Sequence, residues 1–239
     1  MEWFDPYEIR ARVAPALVVS LPGIVTLFFV VLSISESLAQ FLSSGVVLVI
    51  LVYTASFLVR YLGRRIESTI WRRWDGPPST RFLRWRDTHF GDEVKRPLHE
   101  GVKRLCGIEL STAEEESTDH EEADRRISQA FGQVKAVVRR DDPDGVWSKH
   151  NAEYGFHRNL LGSRVLWLLS AIAATLVCGT IWYLGRDEII LVASAINSLL
   201  VVWSIVWGWY FLPRFANEAA DRYADSLWNS FLVSARNSH

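Results

Sequence analysis

The sequence predicts an all-α integral membrane protein with four transmembrane helices, and two observations lead to that fold class. Four long segments of the 239-residue chain are almost free of charged side chains, although 22% of all residues are charged. A polar region, residues 63–163, separates the second segment from the third. We therefore expect two transmembrane hairpins, a small and mainly helical cytoplasmic domain inserted between them, and a C-terminal amphipathic helix. The net charge of -1 indicates no particular class of partner.

Each apolar segment is long enough to cross a bilayer. A hydrocarbon core of ~30 Å needs about 20 helical residues, and a helix satisfies its own backbone hydrogen bonds in lipid. None of the segments has the polar face that a helix of a soluble protein would show. In chain order the segments are Val13–Ile34, Leu38–Leu62, Val165–Gly185 and Ile189–Leu212.

The basic residues lie on one side of this predicted arrangement. The short turns at residues 33–37 and 185–188 hold Arg186 as their single basic residue, whereas the other cations lie in or beside the longer polar regions. The positive-inside rule therefore places both termini and the central region in the cytoplasm. The predicted parts are a leader (1–12), hairpin 1 (13–62), a cytoplasmic domain (63–163), hairpin 2 (164–212) and a cytoplasmic helix (213–239).

Small residues at helical spacing indicate that one face of the third segment packs closely on another helix. The sequence leaves open whether that helix belongs to the same chain or to a second copy. Near the middle of the fourth segment, Asn197 is expected to hydrogen-bond between helices rather than to line a pore, because no segment has an ionisable group at mid-depth. The predicted packing residues are Ala171, Ala174, Thr175, Gly179 and Asn197.

The second segment is expected to continue as a helix beyond the membrane until the sequence DGPP, residues 75–78, ends it. This extension interleaves arginines with tryptophans directly beside the bilayer. Arginines at this level meet anionic headgroups, and tryptophans favour the interface, so nucleic-acid binding is the lesser alternative. The predicted interface residues are Arg64, Arg65, Trp71, Arg72, Arg73 and Trp74.

Two further helices are predicted in the central region from their apolar periodicity. The first covers residues 92–105, although Pro97 fits best in a first helical turn and predicts a later start. Thr118 followed by Glu121 matches a capping box and predicts that the second helix, with its apolar face along 123–138, begins there.

The acidic stretch 109–124 precedes and enters that second helix. Charge runs of this kind are usually solvated, so we expect an exposed loop and helix start. Electrostatic pairing with the arginine-rich run, residues 71–87, is the alternative.

The C-terminal tail is predicted to form an amphipathic helix that begins at Phe215. Its apolar stripe continues to Phe231, and the opposite face carries Glu218, Asp221 and Asp225. Because that face is acidic, docking on the cytoplasmic domain or on a sister subunit is favoured over lying on lipid.

No catalytic or cofactor-binding motif is present in the sequence. It lacks a Walker loop, GxGxxG, GxSxG and HExxH. Cys106 and Cys178 fall in different kinds of segment, which predicts two free thiols rather than a disulfide or a thiolate metal site. We therefore predict no catalytic residue, no metal and no cofactor.

Three stretches resemble recurrent blocks of a family of poorly characterised bacterial multipass membrane proteins. The blocks are DPYEIRARVAPAL (5–17), PPSTRFLRWRD (77–87) with VKRPLH (94–99), and NAEYGFHRNLLG (151–162). The resemblance covers most of the chain in order and implies the 2+2 helix arrangement and a bacterial inner-membrane location. It implies no enzymatic mechanism. Small four-helix proteins of this type occur among anti-phage effectors, which is an architectural analogy.

The same blocks locate a candidate polar site. Arginine forks hold phosphate or carboxylate bidentately, and residues 151, 154 and 158 share one face of a helix. The favoured interpretation is that Asp87 and Asn151 satisfy these arginines in a polar network beneath the membrane. The candidates are Arg81, Arg84, Asp87, Lys95, His99, Asn151, Tyr154, Arg158 and Asn159.

Three functions follow from these features. The first is a non-enzymatic membrane effector or channel-like homo-oligomer, with a cytoplasmic domain that senses a trigger in anti-phage defence. The second is a scaffold that anchors a cytoplasmic protein partner to the lipid bilayer. The third and least favoured is an enzyme acting on a phosphorylated or nucleic-acid substrate, and a nucleotide or nucleic-acid ligand has no direct support.

Overall fold

The computed structural model of the chain describes residues 6–34, 45–141 and 145–237. Within these ranges the protein is helical and has no β-strand. The predicted segment start at 38–44 and most of the predicted turn at 33–37 lie outside them. In chain order the described helices are α1 (Pro6–Ile34), α2 (Val46–Arg73), α3 (Pro78–Arg81), α4 (Asp92–Cys106), α5 (Ala113–Thr118), α6 (His120–Asp141), α7 (Val146–Gly162), α8 (Arg164–Gly185) and α9 (Glu188–Asn237).

Four of these helices, α1, α2, α8 and α9, are long and apolar enough to cross a membrane. Their number confirms the prediction of four transmembrane segments by length and composition. The extension of α2 beyond the apolar segment to Arg73 is also as predicted. The predicted separate helix from Phe215 is wrong in one respect, because α9 continues unbroken from its apolar half through a π-helical turn at Trp207–Phe211.

The chain divides into two compact units. The apolar unit contains the described residues of 1–67 and 155–216, and the polar unit contains those of 68–154 and 217–239. Three helices, α2, α7 and α9, contribute residues to both units.

Within the apolar unit, α8 packs against α1 and against the apolar half of α9. Ala171 and Ala174 are buried at these contacts together with Trp167 and Cys178. Their small side chains let the neighbouring helices approach closely. The small-residue face of α8 is therefore used inside the chain.

Glycines make a second close helix contact in the apolar unit. A Cβ on Gly162 of α7 would lie 2.6 Å from the Cα of Gly63 in α2, and a Cβ on Gly63 would lie 2.1 Å from Oδ1 of Asn159. Gly155 meets Ala11 of α1 in the same way, with 2.9 Å between the added Cβ and the Ala11 Cβ. Three glycines and one alanine thus bring α7 against both α1 and α2.

The polar unit has a core contributed by α4, α6 and the C-terminal half of α9. The side chains of that half enter this core, as its apolar stripe suggested. Buried core residues include Phe82, Leu98, Val102, Ile127, Val134, Leu227, Trp228 and Phe231.

One predicted helix cap in the polar unit is wrong. α4 covers Asp92–Cys106, in agreement with the predicted range 92–105, and it accommodates Pro97 inside the helix, so the later start that Pro97 suggested is not observed. The capping box is formed by Thr112 and Glu115, not by Thr118 and Glu121: the Thr112 hydroxyl accepts from the Glu115 N–H, and the Glu115 carboxylate accepts from the Thr112 N–H. Both pairs have the required spacing. The Thr112 box caps α5, whereas α6 begins at His120, where the Asp119 carboxylate accepts from the Glu122 N–H.

Candidate functional site: the arginine-rich loop of the polar unit

The arginine-rich loop comprises residues 75–91 between α2 and α4. Asp75 and Gly76 turn the chain with positive φ angles of 57° and 105°. The indole N–H of Trp228 donates to the Ser79 carbonyl at 3.0 Å, and Phe82 is fully buried in the core. The loop is therefore fixed to the packed core of the unit within α3 and directly after it.

Arg84 is buried and fully engaged with residues of its own chain. Its Nε and Nη2 atoms donate to the two carboxylate oxygens of Asp124 at 2.7 and 2.6 Å. Its Nη1 atom donates to the carbonyl and carboxylate oxygens of Asp75 at 2.6 and 2.8 Å. This bidentate pairing is the geometry that a phosphate would otherwise use, so Arg84 has little capacity left for a ligand.

Glu116 anchors the centre of the loop from α5. Its buried carboxylate accepts from the backbone N–H groups of Trp85 at 2.8 Å and Arg86 at 3.2 Å, and from Nη1 of Arg86 at 3.1 Å. Together with Asp124, it pairs part of the acidic stretch 109–124 with the loop. The expectation of a wholly solvated acidic stretch is therefore wrong for these two carboxylates, because each satisfies donors that burial removes from water.

Lys95 and His99 lie one turn apart on α4 and hold the loop from its other side. The Lys95 side chain is 1% exposed, and its Nζ donates to the carbonyls of Trp85, at 3.3 Å, and Asp87. Nε2 of His99 lies 3.0 Å from the Leu83 carbonyl and donates to it. Burial is the main cause that lowers the pKa of His99, and the neighbouring Lys95 charge lowers it further.

Arg81 and Asp87 connect the loop to α9. Nε of Arg81 lies 3.3 Å from a carboxylate oxygen of Asp87, and Nη2 lies 3.3 Å from one of Asp221. His89 stacks on Phe82 at 3.6 Å between ring centroids and reaches Asp225 at 2.7 Å. The loop thus meets α9 through Arg81 and His89, each of which lies beside a carboxylate of α9, while Asp87 pairs with Arg81 within the loop.

The five candidates of the first two sequence blocks, residues 81–99, are gathered around this one loop. The third block is divided between the units: Asn151 and Tyr154 belong to the polar unit, and Tyr154 stacks on Tyr223 with ring centroids 5.8 Å apart. In the apolar unit, Nη1 of Arg158 contacts Glu67 at 2.8 Å, and Nδ2 of Asn159 donates to the Ala11 carbonyl at 2.7 Å.

The predicted interface residues follow α2 across the boundary of the units. Four arginines of this set are exposed, while Trp71 and Trp74 are half-buried. Trp74 packs against a small cluster that contains Tyr154 and Ala219, so part of its surface is used inside the protein. The exposed arginines are Arg64, Arg65, Arg72 and Arg73.

Among the predicted helix-packing residues, Asn197 is fully buried in the apolar unit. Its Nδ2 donates to Oγ1 of Thr26 at 3.0 Å, which joins α9 to α1. On α8, Thr175 and Gly179 are half-buried beside the buried Ala171 and Ala174. A Cβ on Gly179 would lie 3.7 Å from Oγ of Ser194 in α9.

Sequence reasoning did not name Asp75, Glu116 or Asp124 as individual candidates. Asp75 was identified only as part of the sequence that ends α2, and Glu116 and Asp124 only as members of the acidic stretch 109–124, for which pairing with the arginines was the alternative. Across residues 6–34, 45–141 and 145–237, no three His, Cys, Asp or Glu side chains are grouped so that they could hold a metal ion. The geometry is that of a structural brace, in which charged and polar side chains fasten the loop to four helices, α4, α5, α6 and α9.

No protein-family model matches this chain, and no curated protein or solved structure is similar to it.

Proposed function

We propose that the chain is a four-helix protein of the bacterial inner membrane that assembles into a non-enzymatic, channel-like effector. In this proposal α1 and α2 form one transmembrane hairpin, and α8 and the apolar half of α9 form the other. The polar unit is a cytoplasmic domain that senses a trigger or binds a protein partner. Both termini are then cytoplasmic, in agreement with the distribution of Lys and Arg in the sequence.

The observation that carries the proposal is the distribution of exposure along the four apolar helices. Leu176 of α8 and Leu199 of α9 are 65% and 70% exposed, and Val49 of α2 is 67% exposed. Aliphatic surface of this extent is stable only against lipid or against another protein. The polar contact between Asn197 and Thr26 lies in the interior instead, as is typical of helices that associate in lipid.

The charged side chains in and around the arginine-rich loop are paired with one another, which supports a structural role for the loop rather than a catalytic one. Arg84 of the loop and Glu116 of α5, which contacts the loop, are both buried, and each is satisfied by partners in the same chain. A ligand-binding fork would need such donors to face an open space. The loop therefore contributes rigidity to the domain that would receive a signal.

In a defence setting, the trigger would rearrange the assembled helices and depolarise the membrane. This can be measured in bacteria that carry the induced gene and a potential-sensitive dye, with and without phage challenge. We expect depolarisation to follow challenge in cells that express the chain, and not in cells that carry the empty vector. An unaltered potential during challenge would contradict the proposal.

A matched pair of variants tests whether the helix assembly is responsible. Asn197→Leu removes the buried contact to Thr26, whereas Ser198→Leu changes the exposed neighbouring residue of α9. At equal protein levels in the membrane, the first variant should weaken depolarisation and the second should not. Equal depolarisation in both would show that this contact is not part of the response.

A further inference from the structure

One side of α2 is left uncovered by the part of the chain that the structure describes. Val52, Ser56 and Val59 are buried, so α2 packs on its own chain through the side that these residues share. The opposite side is exposed over three helical turns, and its central residues recur at spacings of four, three and four, which keeps them on one line of the helix. We call these residues the α2 face: Ile50, Thr54, Phe57 and Tyr61.

Tyr53 borders the α2 face and carries a hydroxyl group without a partner. The residue is 59% exposed, and its ring contacts Phe57 edge-on with 5.2 Å between the ring centroids. Within residues 6–34, 45–141 and 145–237, the Tyr53 hydroxyl forms no hydrogen bond. Water would satisfy such a group on a soluble protein, but hydrocarbon offers neither a donor nor an acceptor, so a lone hydroxyl is unfavourable there.

In the proposed membrane insertion, Tyr53 lies too deep for its hydroxyl to reach water. Val46, where α2 begins, and Arg60, the first charged residue of α2, are each seven positions away. At 1.5 Å per residue, each of these distances is about 10 Å along the helix axis, which exceeds the length of a tyrosine side chain. A partner for the hydroxyl therefore has to come from another protein helix at the same depth.

We propose that the α2 face packs against the α2 face of a second copy of this chain, with the two helices side by side and pointing the same way. All copies insert in one orientation when the cations select the side of the membrane, so a twofold axis along the membrane normal brings equal residues to equal depth. The Tyr53 hydroxyl of each copy then donates to Oγ1 of Thr54 in the other copy. That oxygen donates to the Ile50 carbonyl of its own helix at 2.8 Å and keeps lone pairs that can accept.

The α2 face is complementary to itself, which favours a second copy over an unrelated helix. The donor of Tyr53 and the acceptor of Thr54 are neighbours in the chain and therefore lie at nearly the same depth. Spacings of four and three residues are those of helices that pack side by side over several turns. This inference rests on the proposed assembly in the membrane and names the helix through which two copies meet.

Cysteine cross-linking in membranes from cells that express the full chain tests the contact. Ile50→Cys and Phe57→Cys each place a thiol on the α2 face, and after mild oxidation each variant should give a disulfide-linked dimer on a non-reducing gel. The control is Leu176→Cys, which places a thiol at a comparably exposed position of α8. This variant should stay monomeric on the gel, as should the unchanged protein, whose two cysteines are buried.

A single hydroxyl group distinguishes the proposed contact from general apolar association. Tyr53→Phe removes only that group, whereas Tyr61→Phe removes a hydroxyl beside Arg60, where the headgroup region supplies partners. Association is measured by Förster transfer between copies labelled at the C terminus and diluted in lipid vesicles. Tyr53→Phe should weaken dimerisation about tenfold, since each of two symmetric hydrogen bonds in lipid contributes roughly a factor of three. Tyr61→Phe should associate like the unchanged protein.

Four outcomes would overturn the inference, and they separate it from the proposed function. Dimers in vesicles without cross-links at residues 50 and 57, or with equal cross-linking at residue 176, would leave the proposed assembly standing and reject this interface. Monomers in every measurement would leave lipid as the occupant of the α2 face and contradict the assembly as well. A disulfide-linked product with a different protein would assign the face to that protein. Equal association of Tyr53→Phe and the unchanged protein would reject the pairing of the hydroxyl groups.

Discussion

Glu116 is the residue on which the arginine-rich loop depends most directly, because one carboxylate satisfies three donors of Trp85 and Arg86. Replacing Glu116 by Gln removes the charge and one of the two acceptor oxygens. Buried donors that lose a charged acceptor cost about 2 kcal/mol. We therefore expect the free energy of unfolding, measured in denaturant by tryptophan fluorescence, to fall by about that amount.

The control for this prediction is Glu114→Gln, because Glu114 lies on the same short helix and is exposed. Removing an exposed charge should change the free energy of unfolding by less than about 0.5 kcal/mol. A similar loss in both variants would mean that the negative charge of α5, and not the contact to the loop, was responsible.

His99 makes the stability of the polar unit depend on pH. Since burial lowers its pKa below the ordinary value of 6.5, the unfolded chain takes up a proton at this residue before the folded chain does. The stability contributed by neutral His99 is complete above pH 6.5 and is lost as the pH falls through the lowered pKa. We expect the unchanged protein to lose more free energy of unfolding on acidification than His99→Gln, whose amide keeps a donor for the Leu83 carbonyl.

Denaturant titrations of both proteins above and below pH 6.5 measure this difference. Other carboxylates and histidines titrate in the same range, and the comparison with the variant removes their common contribution. Parallel loss of stability in the two proteins would show that His99 titrates alike in the folded and unfolded chains.

At single positions, the sequence indicated which loop residues are special but not what they contact. Arg81, Arg84 and Asp87 stand out because they are charged residues among aromatic ones. The partners of Arg84 cannot be read from the sequence in the same way, because Asp124 is 40 positions away and belongs to a stretch whose composition indicates solvation. Pairing across such a distance is determined by how α5 and α6 pack.

At the level of elements, the contact of α7 with α2 requires glycine. A methyl group at residue 162 would lie 2.6 Å from Cα of Gly63, and the obstacle is backbone, which cannot rotate away. Gly162→Ala should therefore lower the free energy of unfolding by about 3 kcal/mol, since overpacking of this kind forces the helices apart. Loss of folded protein during purification would be the extreme form of the same result.

Gly132→Ala provides the matched control on α6, where an added Cβ would meet no atom within 4 Å. In an exposed helix interior, alanine is favoured over glycine by roughly 0.5–1 kcal/mol. The same substitution should thus stabilise the protein at one position and destabilise it at the other. If Gly162→Ala also stabilised, the close approach of α2 and α7 would be excluded.

The helical state and the approximate extent of these elements were predictable. Four segments are long and apolar, and the apolar residues of α4 recur at helical spacing. Helix starts were less predictable. Thr112 and Thr118 both precede a glutamate at the capping-box spacing, but Thr118 is the last residue of α5 and only Thr112 has the extended backbone of an N-cap. The continuity of α9 was missed for a related reason, since the change from apolar to amphipathic composition near Leu212 does not end the helix, which passes through the π-helical turn Trp207–Phe211.

At the level of the whole molecule, the number of apolar helices follows from their length and hydropathy. The proposed orientation in the membrane follows from the positions of the Lys and Arg residues.

The orientation can be measured with two engineered cysteines, because the natural Cys106 and Cys178 are both buried. Glu188→Cys is at the first residue of α9, directly after the short turn from α8, and Glu114→Cys lies in the polar unit. Both positions are exposed. If the polar unit is cytoplasmic, a membrane-impermeant maleimide should label the cysteine at 188 in intact cells and the one at 114 only after lysis. The unchanged protein should remain unlabelled. The reverse pattern would invert the topology, and labelling of both sites in intact cells would place the polar unit outside the cytoplasm, where its many cations oppose the positive-inside rule.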